Sequence, residues 1–179
     1  MKPARLGSSV GISKVHDEGE LEPAVALAFR HDEKVLIEEF LDGIEVEVGV
    51  LGNRDPIASL PGQIVPLGHE WYDFASKYDE GGMELVIPPD LPDDVIERAQ
   101  RVAVEAFRMT ECEGMARVDC FVVDGDRVVV SELNTIPGFT STSVYAKLFE
   151  ASGVPYDELL QRLIELALER HDRRAKLQY

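Results

Sequence analysis

The sequence predicts an α+β protein whose mainly antiparallel sheet carries helices packed on it. Three observations predict this fold: strand-like segments between residues 44 and 65, a hairpin pattern over 114–134, and helical segments kept apart from the strands at 92–109 and beyond residue 143. Groups of strands followed by separate helices are typical of α+β domains. A chain of 179 residues also has enough material to bury a sizeable core.

The first forty residues predict a strand, a loop, a helix and a second strand. Residues 20–31 carry apolar side chains at helical spacing, and 34–40 is a short β-type run. This unit is too small to be stable alone. Because a basic Gly/Ser-rich stretch stands at its very beginning, we expect the chain to be a cut through a larger protein.

The strands of the main sheet are predicted from alternation. From Ile44, acidic residues alternate with valines, which marks a half-buried strand, and short strands follow at 57–60 and 63–65. Residues 69–83 mix aromatic side chains, charges and paired glycines. A long segment of this kind within a compact domain is typical of a lid or of disorder.

Three helices are predicted in the second half of the chain. The helix over 92–109 is amphipathic and has two aspartates in its first turn. A short helix over 143–152 is ended by Gly153, and a final helix covers 156–170.

Charge and cysteine usage limit the function classes. The formal net charge of -16 argues against sequence-independent nucleic-acid binding and against anionic membrane surfaces, although a nucleotide delivered with magnesium can still bind a locally basic pocket. Two cysteines without CxxC spacing favour a reducing, cytoplasmic setting. We find no signal peptide and no apolar run that would span a bilayer, so we expect no membrane partner.

The predicted hairpin gathers four polar side chains on one face. With a two-residue turn at 125–126, Asp119 lies opposite Glu132 and Arg117 lies opposite Asn134. Moving the turn back by one residue changes the partners but keeps the shared face, because strand side chains alternate with period two. A three-residue loop would break the arrangement.

These side chains favour cation chemistry. Opposed carboxylates repel unless a positive charge lies between them, and Asp, Glu and Asn oxygens are ligands for hard cations such as Mg²⁺. The alternative is that Arg117 neutralises Glu132 on an otherwise solvated face. The Gly/Pro turn at 134–141, rich in small hydrogen-bond donors, favours the functional interpretation because its backbone N–H groups can meet an anion.

Three weaker signals precede the hairpin. The glycine loop at 7–11, between two lysines, can cradle phosphate, and 37–41 can offer an adenine ring backbone hydrogen bonds and apolar walls. Lys77 and Tyr78 can close over a substrate. Taken singly, each is more simply a surface feature. Together they form an ordered series of basic loop, adenine-type strand end, lid lysine, carboxylate hairpin and anion turn.

In this order the segments resemble the ATP-grasp ligases, and more narrowly the D-alanine:D-alanine ligases. The resemblance rests on six matching stretches, 2–11, 37–41, 72–78, 116–119, 132–140 and 150–153. It implies that 1–41 is a remnant of the ATP-grasp central domain and that 42–179 is the carboxyl-terminal catalytic domain.

The resemblance also implies residue roles. Nucleotide binding would fall to Lys2, Glu38, Glu39, Phe40, Leu41, Glu45 and Lys77, with Glu45 on the ribose and Lys77 on the phosphates. Two Mg²⁺ ions, or Mn²⁺ in their place, would be held by Asp119, Glu132 and Asn134. Oxyanion stabilisation would come from Arg117 and the backbone at Gly138, the second substrate's carboxylate would be held by Ser143 and Val144, and lid closure would involve Ser8 and Tyr78.

The implied reaction uses ATP to join two D-alanine molecules through an acyl phosphate, in peptidoglycan precursor synthesis. The lid residue Tyr78 favours an amine acceptor over D-lactate. Alternatives are a same-family ligase with D-lactate or D-serine as acceptor, a non-catalytic nucleotide-binding module, and a fragment that pairs with an amino-terminal half or with its own copy. We expect the chain alone to be a poor catalyst and the full-length parent to be a homodimer.

Overall fold

The computed structural model describes residues 1–7, 9–66 and 83–177. Its elements in chain order are β1 Lys2–Pro3, α1 Glu18–Phe29, β2 Val35–Leu36, β3 Gly43–Gly52, β4 Ile57–Ala58, β5 Gly62–Pro66, β6 Met83–Val86, α2 Asp93–Met109, β7 Gly114–Val123, β8 Arg127–Asn134, α3 Val144–Ala151 and α4 Tyr156–Ala175. The chain divides into two compact units. The first comprises Met1–Asp42 with the described residues between 65 and 84, and the second comprises Gly43–Ile64 with the described residues from Leu85 onward.

The first unit contains α1 beside the antiparallel pair β1 and β2. Asp17 caps α1, since its carboxylate accepts hydrogen bonds from the backbone N–H groups of Gly19 and Glu20. The strand predicted over 34–40 is reduced to Val35–Leu36. Its described partner is β1, where Lys2 pairs with Leu36 and Pro3 with Val35, and the Ala4 backbone N–H donates to the Lys34 carbonyl beside this pair.

The second unit is built on an antiparallel sheet. Its strand order is β6-β5-β3-β7-β8, and β4 pairs with β3 off this path. The central pair is β3 with β7, which stay in register over ten residues from Gly43↔Val123 to Gly52↔Gly114. The predicted α+β fold with a mainly antiparallel sheet and helices packed on it is confirmed.

The two faces of this sheet differ in character. On one face, valines of β3 and β7 pack against the apolar side of α2, where Ala103 and Phe107 are fully buried. On the other face, Leu51 packs with Tyr145, Phe149 and residues of α4. The helices α3 and α4 therefore cover the end of this second face that includes Leu51, and polar side chains occupy the other end.

The turn of the hairpin differs from the prediction. Val123 pairs with Arg127, so the loop has three residues, and Asp124 and Gly125 both adopt positive φ. A register shift between Asp119 and Cys120 then compensates for the longer loop. The two-residue turn was therefore wrong, as was the expectation that a three-residue loop would break the arrangement, because a β-bulge adds one residue to a strand and restores the pairing.

The last helix runs five residues beyond its predicted end at residue 170. Arg170 and Arg173 both pair with Glu113, which lies just before β7, and the Arg170 Nε to Glu113 Oε2 distance is 2.6 Å. These contacts, above all the hydrogen bond from Arg173, hold the pKa of Glu113 below its usual range. These ion pairs hold the last residues of α4 against the start of β7. Among the helices of the described ranges, none is long and apolar enough to cross a membrane.

Candidate functional site

Strand register brings the four predicted hairpin residues together. Asp119 lies opposite Glu132, and Arg117 lies opposite Asn134. The neighbouring strand β3 adds Glu47 opposite Asp119. The three acidic residues thus form a row across β3, β7 and β8, on the face that does not pack against α2.

Arg117 and Asp119 form the centre of this row. The guanidinium donates from Nε to Asp119 Oδ1 and from Nη2 to Asp119 Oδ2, each at 2.7 Å. Asn134 Nδ2 donates to Asp119 Oδ2 at 2.9 Å and lies 3.5 Å from Glu132 Oε1. Paired, bidentate contacts of this kind are short and directional. They fix the direction in which the Asp119 carboxylate points.

Glu47 is a site residue that the sequence prediction missed. It is 1% exposed, and its Oε2 lies 3.1 Å from Arg117 Nε. The alternation of acids and valines after Ile44 was interpreted as a half-buried strand, which left the face of Glu47 open to solvent. The alternation along β3 does indicate which face of the strand Glu47 lies on. Placing it beside Asp119 also requires the register between β3 and β7, and these strands are not joined by a hairpin turn that would determine it.

Most charged side chains described in this row are acidic. Glu47, Asp119 and Glu132 contribute three carboxylates, and Arg117 contributes one guanidinium. Burying like charges together is costly unless positive charge offsets them. Among the described residues, three acidic side chains thus surround one arginine, an arrangement that favours a further cation.

The donor set fits magnesium that arrives with a phosphate ligand. Within the described ranges, no group of three or more His, Cys, Asp or Glu side chains is arranged to hold a metal ion. Mg²⁺ does not need one, since it commonly takes one or two protein carboxylates and completes its shell with water and substrate phosphates. Asp119, Glu132 and Asn134 supply two carboxylates and an amide within hydrogen-bonding reach of one another.

The turn after β8 closes tightly on the start of α3. Ser143 Oγ accepts a hydrogen bond from the Thr140 backbone N–H at 3.0 Å and lies 2.9 Å from Thr140 Oγ1. A Cβ on Gly138 would lie 3.3 Å from Ser143 Oγ, so a side chain there would crowd the turn. Val144 is the first residue of α3. The predicted substrate residues Ser143 and Val144 thus lie in the same turn as Gly138.

In the first unit, the predicted nucleotide residues form two contacts. Lys2 Nζ lies 2.9 Å from Glu38 Oε2, and Lys14 Nζ lies 4.0 Å from the centre of the Phe40 ring. Glu39 is exposed and Leu41 is half-buried.

Four further predicted residues remain. Glu45 belongs to the second unit, is half-buried and lies opposite Phe121. Ser8, Lys77 and Tyr78 lie outside the described residues, so their predicted roles stay predictions.

Cys120 is not a nucleophile for this site. Its thiol is fully buried on the α2 face of β7. Burial, and then the nearby Asp119 charge, raise the pKa of Cys120 to about 12. Since the thiolate is the reactive form, this cysteine acts as a small apolar core residue.

Solved structures with the same fold define the class. The D-alanine–D-alanine ligase of Coxiella burnetii matches with a TM-score of 0.86 and 42% identity over 98% of this chain and 46% of its own. The VanG D-Ala:D-Ser ligase of Enterococcus faecalis matches at 0.83 and 37%, over 92% and 48% of the two chains. The D-alanine–D-alanine ligase of Bacillus anthracis complexed with ATP matches at 0.75 and 26%, over 89% and 50%. The fold is that of the carboxyl-terminal part of an ATP-grasp ligase.

Sequence comparison identifies the family within this class. The family described as D-ala D-ala ligase C-terminus matches residues 1–165. The D-alanine–D-alanine ligase of Chlorobaculum parvum is 55% identical over 171 residues, which cover 95% of this chain and 47% of that protein. This chain belongs to the D-alanine–D-alanine ligase family, and it spans about half the length of the curated relatives it matches.

Proposed function

We propose that the gene product containing this chain joins two D-alanine molecules to D-alanyl-D-alanine, using ATP and magnesium. The observation that carries the proposal is the polar row on β7 and β8, where Asp119, Glu132 and Asn134 converge beside Arg117 in a chain of this family. The ATP-bound neighbour from Bacillus anthracis supports the nucleotide, and the names of the relatives support D-alanine.

The reaction has two chemical steps. The carboxylate of one D-alanine attacks the γ-phosphate of ATP, which gives an acyl phosphate and ADP. The amine of the second D-alanine then attacks the acyl carbon, and inorganic phosphate leaves from a tetrahedral intermediate while the amine loses a proton. Each step needs negative charge to be stabilised as it develops on oxygen.

Each residue of the row has a place in this scheme. Asp119, Glu132 and Asn134 hold magnesium, or manganese in its place, which neutralises charge on the phosphoryl group when it is bound. Arg117 and the Gly138 backbone stabilise the oxyanion of the tetrahedral intermediate. Ser143 and Val144 hold the carboxylate of the second D-alanine.

The remaining assignments complete the proposal. Residues 1–41 are part of the ATP-grasp central domain, and 42–179 form the carboxyl-terminal domain. Nucleotide contacts come from Lys2, Glu38, Glu39, Phe40, Leu41, Glu45 and Lys77, and lid closure involves Ser8 and Tyr78. The full-length protein works as a homodimer in the cytoplasm, where its dipeptide enters peptidoglycan precursors.

A second acceptor is favoured by one observation. The VanG neighbour is named a D-Ala:D-Ser ligase, and its fold matches with a TM-score of 0.83. D-Serine differs from D-alanine by one hydroxyl, and apolar pockets discriminate poorly against an added hydroxyl. D-Serine is therefore the alternative acceptor.

The test is a ligase assay on the full-length gene product. Phosphate release and product mass are measured with D-alanine alone and with D-alanine plus D-serine or D-lactate. We expect D-alanyl-D-alanine to predominate and Arg117→Lys to lower kcat by about 100-fold, as expected for loss of an oxyanion donor. Arg162→Lys, on the exposed side of α4, is the matched control and keeps full activity. A mixed D-Ala-D-Ser product would establish the alternative, and no ATP-dependent product with any acceptor would refute the proposal.

A further inference from the structure

Hydrogen bonds occupy most of the lone-pair sites of the Asp119 carboxylate. Both of its oxygens accept hydrogen bonds from Arg117, and Oδ2 also accepts one from Asn134. A carboxylate that coordinates a cation directs its lone pairs at the ion. A cation bound at Asp119 therefore competes with the guanidinium for this carboxylate.

A released Arg117 would lose its orientation unless another group held it. Its side chain is 20% exposed, and an arginine has many rotamers to adopt once its hydrogen bonds are gone. A group that stabilises an oxyanion works only if it is held in place before the charge develops. The site therefore needs a second anchor for the guanidinium.

Glu47 provides this anchor from the neighbouring strand. Its Oε2 lies 3.1 Å from Arg117 Nε, the same nitrogen that lies 2.7 Å from Asp119 Oδ1. Glu47 is 1% exposed, and its Oε2 is buried without a hydrogen bond, so the ion pair with Arg117 is the contact described for this oxygen. A buried acid beside a second acid is costly to stability, which indicates that the site gains something from it.

We propose that Glu47 is a positioning residue that keeps Arg117 in place when Asp119 exchanges the guanidinium for a divalent cation. The proposal rests on the function proposed above, because that function makes Asp119 a cation ligand. It assigns no contact between Glu47 and substrate. Glu47 acts through Arg117.

The anchor can be tested without nucleotide or metal. Asp119→Ala removes a hydrogen-bond partner of Arg117 and so mimics the state in which a cation occupies Asp119. Hydrogen exchange of the Arg117 Nε–H is measured by NMR in Asp119→Ala and in Asp119→Ala combined with Glu47→Gln. Glu47→Gln keeps the shape and removes the charge. Once Asp119 is gone, the Nε–H can turn to the Glu47 carboxylate, so we expect exchange to be about tenfold faster when that charge is also removed.

Two companion variants sharpen the result. Glu47→Asp, combined with Asp119→Ala, keeps the charge and restores at least part of the protection. Glu105→Gln removes an exposed carboxylate from α2 and leaves exchange at the level of Asp119→Ala alone. Equal exchange in the Glu47→Gln and Glu105→Gln combinations would overturn the proposal.

Kinetics of the full-length enzyme give an independent readout. A positioning role predicts that Glu47→Gln lowers kcat by at least about tenfold while KM for ATP changes less than about threefold, because orientation matters most in the transition state. Unchanged kcat would overturn the proposal. If the unmodified protein shows no ligase activity, the proposed function fails, while the exchange measurement still decides whether Glu47 anchors Arg117.

Discussion

Replacing Arg117 with methionine should reveal how strongly the site depends on this guanidinium. Methionine keeps most of the side-chain volume but removes the guanidinium that contacts both Glu47, which is 1% exposed, and Asp119, which is 6% exposed. Removing one partner of a buried ion pair costs about 3–5 kcal/mol. Since Arg117 is 20% exposed, we expect a loss at the lower end, about 3 kcal/mol.

Urea unfolding followed by circular dichroism measures this loss. With a slope of about 2 kcal/mol/M, the midpoint of Arg117→Met should fall by about 1.5 M. Arg162→Met is the matched control, because Arg162 pairs with Glu158 on an exposed helix face, and it should cost less than about 0.5 kcal/mol. If the two methionine variants unfold at the same urea concentration, the assignment of Arg117 as the buried counter-charge is refuted.

Three further predictions follow from packing and ion pairs. Cys112 should react with a thiol reagent in the folded protein. Cys120 is fully buried and its pKa is raised to about 12, so it should react only after unfolding. If both thiols react equally fast in the folded protein, the assigned burial is wrong. Arginines hold the pKa of Glu113 below its usual range. Its ion pairs therefore stabilise the fold above the ordinary glutamate pKa, and this stabilisation is lost as the pH falls through the lowered value. In urea titrations Glu113→Gln should cost about 1 kcal/mol at pH 7 and nearly nothing at about pH 2, and a pH-independent cost would count against the pairing. Gly49→Ala places a Cβ 2.7 Å from Phe149 and should lower the free energy of unfolding by about 1–3 kcal/mol. Adding Phe149→Leu should partly restore this stability. A fully stable single variant would show that the contact is not tight.

The hairpin shows what sequence predicts well and why. Its pairs were predicted correctly, although the loop length was wrong, because a bulge between Asp119 and Cys120 compensates for the extra loop residue. A row of polar side chains on one face constrains register more strongly than a turn does, since a slip by one residue would bury the charges among valines. Residue patterning therefore predicted the pairing, while the turn type depended on local geometry.

Contacts distant in sequence were harder to predict. Glu47 reaches the site through the pairing of β3 with β7, whose residues are about 70 positions apart in the chain. The end of α4 depends on Glu113 meeting Arg170 and Arg173, which no helical periodicity encodes. In both cases tertiary contacts decided the outcome, and a single sequence carries little information on such contacts.

The family was identified by resemblance of ordered segments, and the comparisons confirm it. The individual roles of Lys2, Glu38 and Phe40 stay predictions, as do the division at residues 41 and 42 and the homodimer. These concern the nucleotide and partner molecules. Hydrogen bonds within the chain, by contrast, join Arg117 to Asp119 directly.

Binding of Mg-ATP to the β7–β8 row is the central claim, and calorimetric titration of the full-length gene product tests it most directly. The unmodified protein is compared with Asp119→Ala combined with Glu132→Ala, and with a charge-matched control, Glu97→Ala combined with Glu105→Ala on the exposed side of α2. We predict that the site variant binds Mg-ATP at least about tenfold more weakly, the equivalent of about 1.4 kcal/mol, and that the control binds normally. Equal affinity in all three proteins would contradict the account, because the nucleotide's magnesium would then lie elsewhere.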